Sequence, residues 1–327
     1  MSEDRRVSSE WTRIARLRAA FGAPRDPRVR VGIGDDAAVL APGPELLVWT
    51  IDASVESVHF RRDLLSLHDV GYRATMAAAS DLAAMGAAPL GLLAALVLPP
   101  SITDDDLAAL AAGQREAADA IGAAVIGGNL ARGGELSITT TVLGAAARPL
   151  TRDGARPGDA LWMAGPVGLA AAGLALLAGG AGERSAGAGA EAAVRAWRRP
   201  LARIADGLRA APRAGAAIDV SDGLAQDVGH IAEASDVSIL LDAAAIVGPE
   251  LGAIAAEIGR DPLDLALRGG EDYAVVVTLA EGDALEGFVR IGEVAARAQR
   301  VRGARVALRR GDGEVTALDG GGFDHFA

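Results

Sequence analysis

The spacing of apolar residues predicts a mixture of helices and short strands in the first half of the chain. Ser9–Ala20 and Asp69–Met85 repeat apolar positions at helical intervals. Thr103 is a predicted N-cap for a third helix, which begins with three aspartates and stops at Gly122. Apolar runs bounded by turn residues predict strands. These strands are Val29–Ile33, Ala37–Leu40, Leu46–Ile51, Leu90–Leu98, Ala123–Ile126 (ending at a Gly127–Gly128 turn) and Leu136–Leu143.

A turn-rich segment, Thr151–Asp159, separates this half from a second alternation of strands and helices. Gly179–Gly189 is of low complexity and predicts a mobile loop. The other predicted elements are strand Ala160–Ala164, helix Gly168–Leu177, strand Ala216–Val220, a helix from Leu224 and strand Tyr273–Thr278. A chain of 327 residues exceeds the usual size of a single core. We therefore expect an α+β protein with two domains, residues 1–150 and 151–327.

Composition removes several chemistries. All 32 basic residues are arginine, so the chain has no lysine for a Walker-A site, a Schiff base or a general base. It has no cysteine either, which excludes thiolate nucleophiles, disulfides and cysteine-ligated metals. The formal charge of −11 disfavours nonspecific binding of nucleic acid, which requires clustered positive charge.

Two apolar stretches, Leu82–Pro100 and Leu161–Gly180, are long enough to imitate membrane spans. Glycine and proline interrupt both stretches, and each coincides with short predicted elements. Residues Met1–Phe21 mix acids with arginines and contain no apolar signal-peptide core. We expect a cytoplasmic protein with no membrane partner.

Acidic residues at the ends of predicted strands are the main candidates for chemistry. For each acid alone, a turn or N-cap role explains its presence better. Asp81 is harder to explain in this way, because it stands in an apolar helix with no basic residue nearby. As a group, the acids would repel one another unless cations lay between them, which favours Mg²⁺ holding a polyphosphate. The other acids are Asp35, Asp36, Asp52, Asp219 and Asp222.

The four histidines do not have the spacing of a zinc site, and no G-x-S-x-G motif supports a serine nucleophile. His230 fits a surface or internally satisfied position on a helix. His59 follows Asp52 closely, and both a site role and a structural role stay open for it.

Seven motifs occur in one order along nearly the whole chain. They are G-I-G-D-D-A-A-V (Gly32–Val39), D-x-x-V-E-x-V-H-F (Asp52–Phe60), S-D-L-A-A-M-G-A-x-P (Ser80–Pro89), L-T-R-x-G-A-x-P-G-D (Leu150–Asp159), I-D-V-S-D-G-L (Ile218–Leu224), G-G-E-D-Y (Gly269–Tyr273) and G-F-D-H-F (Gly322–Phe326). This pattern resembles the thiamine-monophosphate kinase family, within the superfamily of aminoimidazole ribonucleotide synthetase.

The resemblance implies a two-domain, PurM-like α+β fold whose N-terminal sheet pairs across a homodimer to form a barrel, followed by a C-terminal α/β domain. The first domain would bind ATP and Mg²⁺ and form the dimer. It also implies a kinase that transfers phosphate from ATP to thiamine monophosphate, assisted by several Mg²⁺ ions. Strands Val29–Ile33 and Leu46–Ile51 are apolar on both faces, which agrees with a buried dimer interface.

The same resemblance implies roles for individual residues. The metal-ligand positions are Asp36, Thr50, Asp52, Asp81, Asn129, Asp219 and Asp222. The ATP contacts are Gly128, Asn129, Arg152 and Ser221, and Asp222 and Arg152 are also the implied catalytic residues. The positions at the thiamine end are His59, Glu271 and Phe323.

The chain departs from the family pattern at three positions. Asn129 replaces an aspartate, Ser57 replaces a glycine, and Ile51 replaces a hydroxyl residue. Two alternatives therefore stay open: a catalytically weakened nucleotide-binding paralogue, and another ATP-dependent enzyme of the same superfamily. The H-F and G-F-D-H-F motifs argue against a synthetase-like ligase, and the missing Cys and Lys argue against a selenophosphate synthetase.

Overall fold

The protein is described by a computed structural model that covers residues 9–24, 26–33, 37–179, 188–299, 301–318 and 321–322. The chain forms two compact units. The N-terminal unit comprises Met1–Leu82 and Ala88–Ala147, and the C-terminal unit comprises Ala83–Ala87 and Arg148–Ala327. Each unit combines a sheet with helices, which confirms the α+β class.

The N-terminal unit is built on a four-stranded sheet in the order β3-β6-β4-β5, with β4 and β5 parallel and the other pairs antiparallel. A separate antiparallel pair joins β1 and β2. The elements are α1 (Glu10–Phe21), β1 (Val29–Val31), β2 (Val39–Leu40), β3 (Leu46–Val55), α2 (Leu67–Ala84), β4 (Ala88–Leu98), α3 (Asp104–Ala120), β5 (Val125–Arg132) and β6 (Ser137–Ala146).

Local sequence explains where two of these helices begin. Ser9 caps α1, its hydroxyl accepting the Thr12 N–H at 3.3 Å. Thr103 and Asp106 form a reciprocal capping box at the start of α3. Helix α2 packs on one face of the sheet so closely that a Cβ on Gly144 of β6 would lie 2.8 Å from the Leu82 side chain.

The C-terminal unit is built on a seven-stranded sheet in the order β13-β12-β9-β11-β7-β10-β8, in which β9 and β12 are parallel. Its elements are β7 (Ala160–Ala164), α4 (Leu169–Ala178), α5 (Ala188–Arg198), α6 (Ile204–Ala210), β8 (Ala217–Asp219), α7 (Leu224–Ala234), β9 (Val237–Asp242), α8 (Ala243–Ile246), α9 (Pro249–Ile258), α10 (Pro262–Arg268), β10 (Val275–Leu279), β11 (Val289–Ala296), a 3₁₀ turn (Arg297–Gln299), β12 (Val306–Arg309) and β13 (Val315–Leu318).

Two predicted strand ends that bear on candidate residues are wrong. Strand β3 continues past Ile51 to Val55, so Asp52 lies within the strand rather than after its end. The strand predicted at Ala123–Ile126, with a turn at Gly127–Gly128, is instead β5, which continues through both glycines to Arg132. Parallel pairing with β4 extends the chain across the glycines. Gly128, at φ +159°, comes so close to β4 that a Cβ would lie 2.0 Å from the Ala94 carbonyl oxygen. The glycines therefore allow β5 to approach β4 closely, and they do not form a turn.

The two apolar stretches that imitate membrane spans are divided between short elements. The first comprises the end of α2 and strand β4, and the second comprises β7 and α4. Across the described ranges, no helix has the length and apolar character needed to cross a bilayer. Most of the predicted mobile loop Gly179–Gly189, namely residues 180–187, lies outside the described residues.

Candidate active site

Thr50 and Asp81 meet on the helix-covered face of the N-terminal sheet. Side chains alternate along β3, so Thr50 and Asp52 face inward while Trp49 and Ile51 are exposed. The hydroxyl of Thr50 donates a hydrogen bond to Oδ2 of Asp81, which extends from α2. Asp81, which stands among apolar residues in the sequence, is thus half-buried and hydrogen-bonded to a hydroxyl.

Thr140 lies directly opposite Asp52 in the β3–β6 pairing. Directly opposed residues hold their Cβ atoms about 4.5–5.5 Å apart. Asp52 is half-buried, and its Oδ1 accepts the N–H of Ala53 at 2.8 Å. Thr140 is completely buried, and its hydroxyl has no hydrogen-bond partner within the described part of the chain. The Thr140 hydroxyl, which has no hydrogen-bond partner among the described residues, therefore occupies the strand position opposite Asp52.

Asn129 lies in the row of the sheet next to that of Asp52. The row of Asp52 continues through Thr140 and Ala94 to Gly128, whereas Asn129 pairs with Ala95. Asn129 is exposed on β5. The structure brings Thr50 and Asp81 into contact, but it places Asn129 one row away.

His59 lies in the turn that follows β3. Its Nδ1 accepts the N–H of Val55 at 3.1 Å, which fixes the ring beside the end of the strand. The turn closes through the Ser57 N–H, which donates to the Phe60 carbonyl at 2.7 Å, and Ser57 has a φ of +68°. Asp36, the remaining predicted ligand of this unit, lies outside the described residues.

In the C-terminal unit, hydrogen bonds to the side chain of Asp227 hold the loop between β8 and α7. Oδ2 of Asp227 accepts the backbone N–H groups of Ser221, Asp222 and Gly223 at 3.0, 3.1 and 3.2 Å. Asp219 at the end of β8 is buried as well. Burial, followed by the negative charges of Asp219 and Asp222, raises the pKa of Asp227 to about 7. The buried carboxylate of Asp227 thus fixes the backbone of the loop that carries Asp222.

Arg152 lies beside the start of β8 and the C-terminal end of α7. The carbonyl of Thr151 accepts the N–H of Ala217 on β8 at 3.0 Å. Ser235 donates its hydroxyl to the Arg152 carbonyl at 2.8 Å, and the Arg152 side chain is exposed. The guanidinium of Arg152, which is always charged, is therefore presented to solvent from this end of β8.

The G-G-E-D-Y segment is bonded to the same loop. The Glu271 N–H donates to the Ser221 carbonyl at 2.7 Å, and the Tyr273 N–H donates to the Val220 carbonyl at 2.8 Å. Glu271 and Tyr273 have φ values of +68° and +51°. Non-glycine residues rarely adopt this left-handed region, and such strain is concentrated at functional sites.

The two acids of that segment are fixed by separate helices. Oε2 of Glu271 accepts the indole N–H of Trp197 from α5 at 3.0 Å. The carboxylate of Asp272 accepts the N–H groups of Gly168 and Ala170, at 2.6 and 3.0 Å, and so caps α4. Burial raises the pKa of Asp272 to about 7; the two backbone hydrogen bonds oppose this shift, and the charge of Glu271 adds to it.

The end of the described chain also reaches this region. A Cβ on Gly322 would lie 2.7 Å from the Asp222 carbonyl oxygen, and the Gly321 carbonyl accepts a hydrogen bond from Arg268 at 3.3 Å. Glycine is required for that close approach. Phe323, the next residue, lies outside the described residues.

The donor atoms are chemically suited to Mg²⁺. Among the described residues, no three histidine, aspartate or glutamate side chains gather closely enough to hold a metal by themselves. Mg²⁺ commonly takes only one or two carboxylates and completes its octahedron with substrate phosphates and water. In the N-terminal unit, Asp81 with Thr50 and the buried Thr140 hydroxyl opposite Asp52 offer oxygen ligands of this kind. In the C-terminal unit, the carboxylates of Asp219 and Asp222 do the same.

The sequence analysis did not assign three residues of this region, Asp227, Trp197 and Thr140. For Asp227 a signal was available. It shares the apolar face of α7 with Leu224, Val228 and Ile231, where a carboxylate needs buried donors. Trp197 and Thr140 had no comparable signal, because their neighbours come from distant parts of the chain.

Comparisons with known proteins agree with this geometry. Residues 34–146 match the family described as AIR synthase related protein, N-terminal domain. The chain is 36% identical to thiamine-monophosphate kinase of Escherichia coli (strain K12), over 97% of this chain and 98% of that protein. The crystal structure of thiamine-monophosphate kinase from Stenotrophomonas maltophilia K279a superposes with a TM-score of 0.80, at 36% identity, covering 94% of this chain and 97% of that chain. A structure described as AaThiL complexed with AMPPCP and TMP has a TM-score of 0.79 at 28% identity, covering 99% and 100%.

The N-terminal unit of this α+β fold is thus an AIR synthase related domain over residues 34–146. Within that class, the chain belongs to the thiamine-monophosphate kinase family.

Proposed function

We propose that this protein transfers the terminal phosphate of ATP to thiamine monophosphate, producing ADP and thiamine diphosphate. The observation that carries the proposal is the 36% identity to a thiamine-monophosphate kinase over 97% of the chain. The complex of AaThiL with AMPPCP and TMP supports the same pair of substrates. The carboxylates of Asp52 and Asp81 in one unit and of Asp219 and Asp222 in the other support a phosphoryl-transfer site rather than a nucleophilic one.

The chemistry of the acceptor explains why the site needs no general base. A phosphate monoester is already ionised at neutral pH, so its oxygen can attack without losing a proton to the protein. The remaining obstacle is repulsion between two anions, which positioning and charge neutralisation overcome. We assign charge neutralisation to Arg152 and nucleotide contact to Ser221, Gly128 and Asn129. His59, Glu271 and Phe323 are assigned to the thiamine end.

We propose that Mg²⁺ is held by Thr50, Asp52, Asp81 and Asn129 in one unit and by Asp219 and Asp222 in the other. Asp36 is proposed as a further ligand on the sequence resemblance alone. Bound to these residues, Mg²⁺ would supply positive charge that offsets the negative charge of the phosphates during transfer. The protein's own part is to hold its oxygen donors in place, as Asp227 does for the loop that carries Asp222.

We further propose that residues 1–150 form a domain that binds ATP and Mg²⁺ and makes the contact of a homodimer, and that residues 151–327 form the C-terminal domain. Supporting this, β3 is an edge strand whose outward face is apolar and exposed. A second copy would cover both the apolar face and the strand edge.

The test is an assay of ADP release with and without thiamine monophosphate, at saturating Mg²⁺. Release that depends on this acceptor, and that falls by at least about a hundredfold in Asp222→Asn, supports the proposal. Asp312→Asn, the same change at an exposed turn, is the matched control and should retain full activity. Nucleotide binding without release would favour the weakened paralogue, and release with another acceptor only would favour a different enzyme of the superfamily.

A further inference from the structure

The contact between Trp197 and Glu271 has no role in holding phosphate or metal. Trp197 is buried in α5, and its indole N–H donates to Oε2 of Glu271 at 3.0 Å. An indole N–H is a donor only, so in this contact the glutamate is the acceptor. A hydrogen bond to an ionised carboxylate is stronger and more directional than one between neutral groups.

The backbone of Glu271 has little freedom to redirect its own side chain. Its φ of +68° lies in the left-handed region, and its N–H is bonded to the Ser221 carbonyl at 2.7 Å. On the following residue, the carboxylate of Asp272 is tied to two N–H groups at the start of α4. With the backbone held on both sides, the direction of the Glu271 carboxylate depends on its side-chain rotamer, which the Trp197 bond restricts.

The two helices that hold these acids are packed tightly against each other. A Cβ on Gly173 of α4 would lie 2.1 Å from the Ala193 carbonyl oxygen of α5, so the helices are in backbone contact there. Trp197 lies one turn beyond Ala193 on α5. The donor of the hydrogen bond is therefore carried by a rigid helix pair rather than by a loop.

We propose that Trp197 is a positioning residue that orients the Glu271 carboxylate toward the cationic, amine-bearing heteroaromatic part of the acceptor. This inference rests on the proposed function, because it takes Glu271 as a residue at the thiamine end. A carboxylate aimed in one direction attracts a cationic ring or accepts from its amine, and it discriminates against acceptors that lack both. Trp197 thereby influences the choice of acceptor without touching ATP.

The test compares Trp197→Phe with Trp162→Phe. Both changes reduce an indole to a phenyl ring, but the Trp162 Nε1 is a buried donor with no hydrogen-bond partner among the described residues. Trp197→Phe should raise the KM for thiamine monophosphate by about tenfold, as expected for losing a hydrogen bond to a charged group, with the KM for ATP unchanged. Trp162→Phe should change neither constant. Calorimetric titration with thiamine monophosphate should show the same loss of affinity in Trp197→Phe alone.

A double-mutant cycle identifies the partner. If Trp197 acts through Glu271, adding Trp197→Phe to Glu271→Ala, which removes the carboxylate, should weaken binding of thiamine monophosphate by much less than tenfold. Additive losses would overturn the proposal, as would equal losses for ATP and acceptor or a Trp197→Phe enzyme that behaves like Trp162→Phe. A wild-type protein that releases no ADP with thiamine monophosphate would refute the proposed function instead. That result concerns the wild type alone, whereas the proposal for Trp197 is tested by differences between variants.

Discussion

Ser57 shows at the scale of one residue how a departure from a family pattern can be structural. The sequence resemblance places glycine at this position, and the structure gives Ser57 a φ of +68° in the turn after β3. A left-handed conformation costs a residue with a Cβ roughly 1–2 kcal/mol, and glycine loses roughly 0.5–1 kcal/mol more than other residues in chain entropy on folding. The serine therefore strains a turn that also carries His59.

We predict that Ser57→Gly stabilises the protein by about 0.5–1 kcal/mol, the difference between those two effects. Urea unfolding measures the change. Ser54→Gly, at an extended position of β3, is the control and should destabilise by a similar amount. A loss of stability in Ser57→Gly would show that the turn does not bear the expected strain.

Asn129 is the residue whose substitution bears most directly on metal binding. An amide oxygen can ligate Mg²⁺ but contributes no charge. We predict that Asn129→Asp lowers the Mg²⁺ concentration for half-maximal turnover by severalfold, because a carboxylate adds attraction beside a divalent ion. Turnover is measured against Mg²⁺ at saturating ATP.

The control is Gln299→Glu, which adds the same charge at an exposed position of the C-terminal unit. Coincident curves for wild type and Asn129→Asp would remove Asn129 from the proposed ligands, in keeping with its place one row from Asp52. A wild type that is inactive at every Mg²⁺ concentration, beside an active variant, would instead identify a weakened paralogue.

At the scale of elements, two loops act as one unit. The β8–α7 loop and the G-G-E-D-Y segment share backbone hydrogen bonds, and each is held by an acid: Asp227 below the first and Asp272 at the start of α4. These acids are buried where neutral side chains would be less costly. Their location indicates that loop geometry is maintained at the expense of stability.

The destabilisation caused by burying Asp272 can be measured from the pH dependence of the unfolding free energy. The Asp272 pKa of about 7 in the folded protein lies above the value of about 3.9 in an unfolded chain, so the folded state binds the proton more tightly. The contribution of this group to stability is therefore fully present below pH 4 and is lost as the pH rises from about 4 to about 7.

We predict that Asp272→Asn, which cannot ionise, lessens the fall in unfolding free energy between pH 4 and pH 7, to which Asp227 also contributes. Urea unfolding at four pH values in this range measures the slope, and Asp312→Asn is the exposed control with an unchanged slope. A wild-type slope retained in Asp272→Asn would show that other groups cause the pH dependence.

At the scale of the whole molecule, the outward face of β3 exposes apolar side chains that a single chain does not bury. Leu47, Trp49 and Ile51 are 63%, 69% and 68% exposed along one side of an edge strand. Contiguous exposed apolar side chains of this kind mark interaction surfaces. They agree with the proposed homodimer, in which each copy covers the other's strand.

We predict that the protein sediments as a dimer at micromolar concentration and that Trp49→Glu shifts it toward monomer, because a buried carboxylate would oppose association. Trp11→Glu is the matched control: Trp11 is 80% exposed, but it lies on α1, and the dimer should persist. A wild-type monomer that turns over substrate would refute the dimer, as would dissociation in both variants.

The sequence by itself determined the α+β class, the helices and strands of the N-terminal unit, five elements of the C-terminal unit (α4, α7, β7, β8 and β10) and the motifs that place the chain in its family. These features depend on local spacing, caps and turn residues, which is why Thr103 correctly predicted the start of α3. Residue roles carried by the family resemblance stay predictions, including those of Asp36 and Phe323.

Only the tertiary structure decided which side chains meet. The Thr50–Asp81 and Trp197–Glu271 bonds join residues 31 and 74 positions apart, and β5 continues through its glycines because β4 lies beside it. Strand register and helix packing bring these groups together, and both arise from the burial of distant apolar surfaces. No local sequence pattern predicts such partners. The donors that orient Asp81 and Glu271 are therefore identified only from the folded chain.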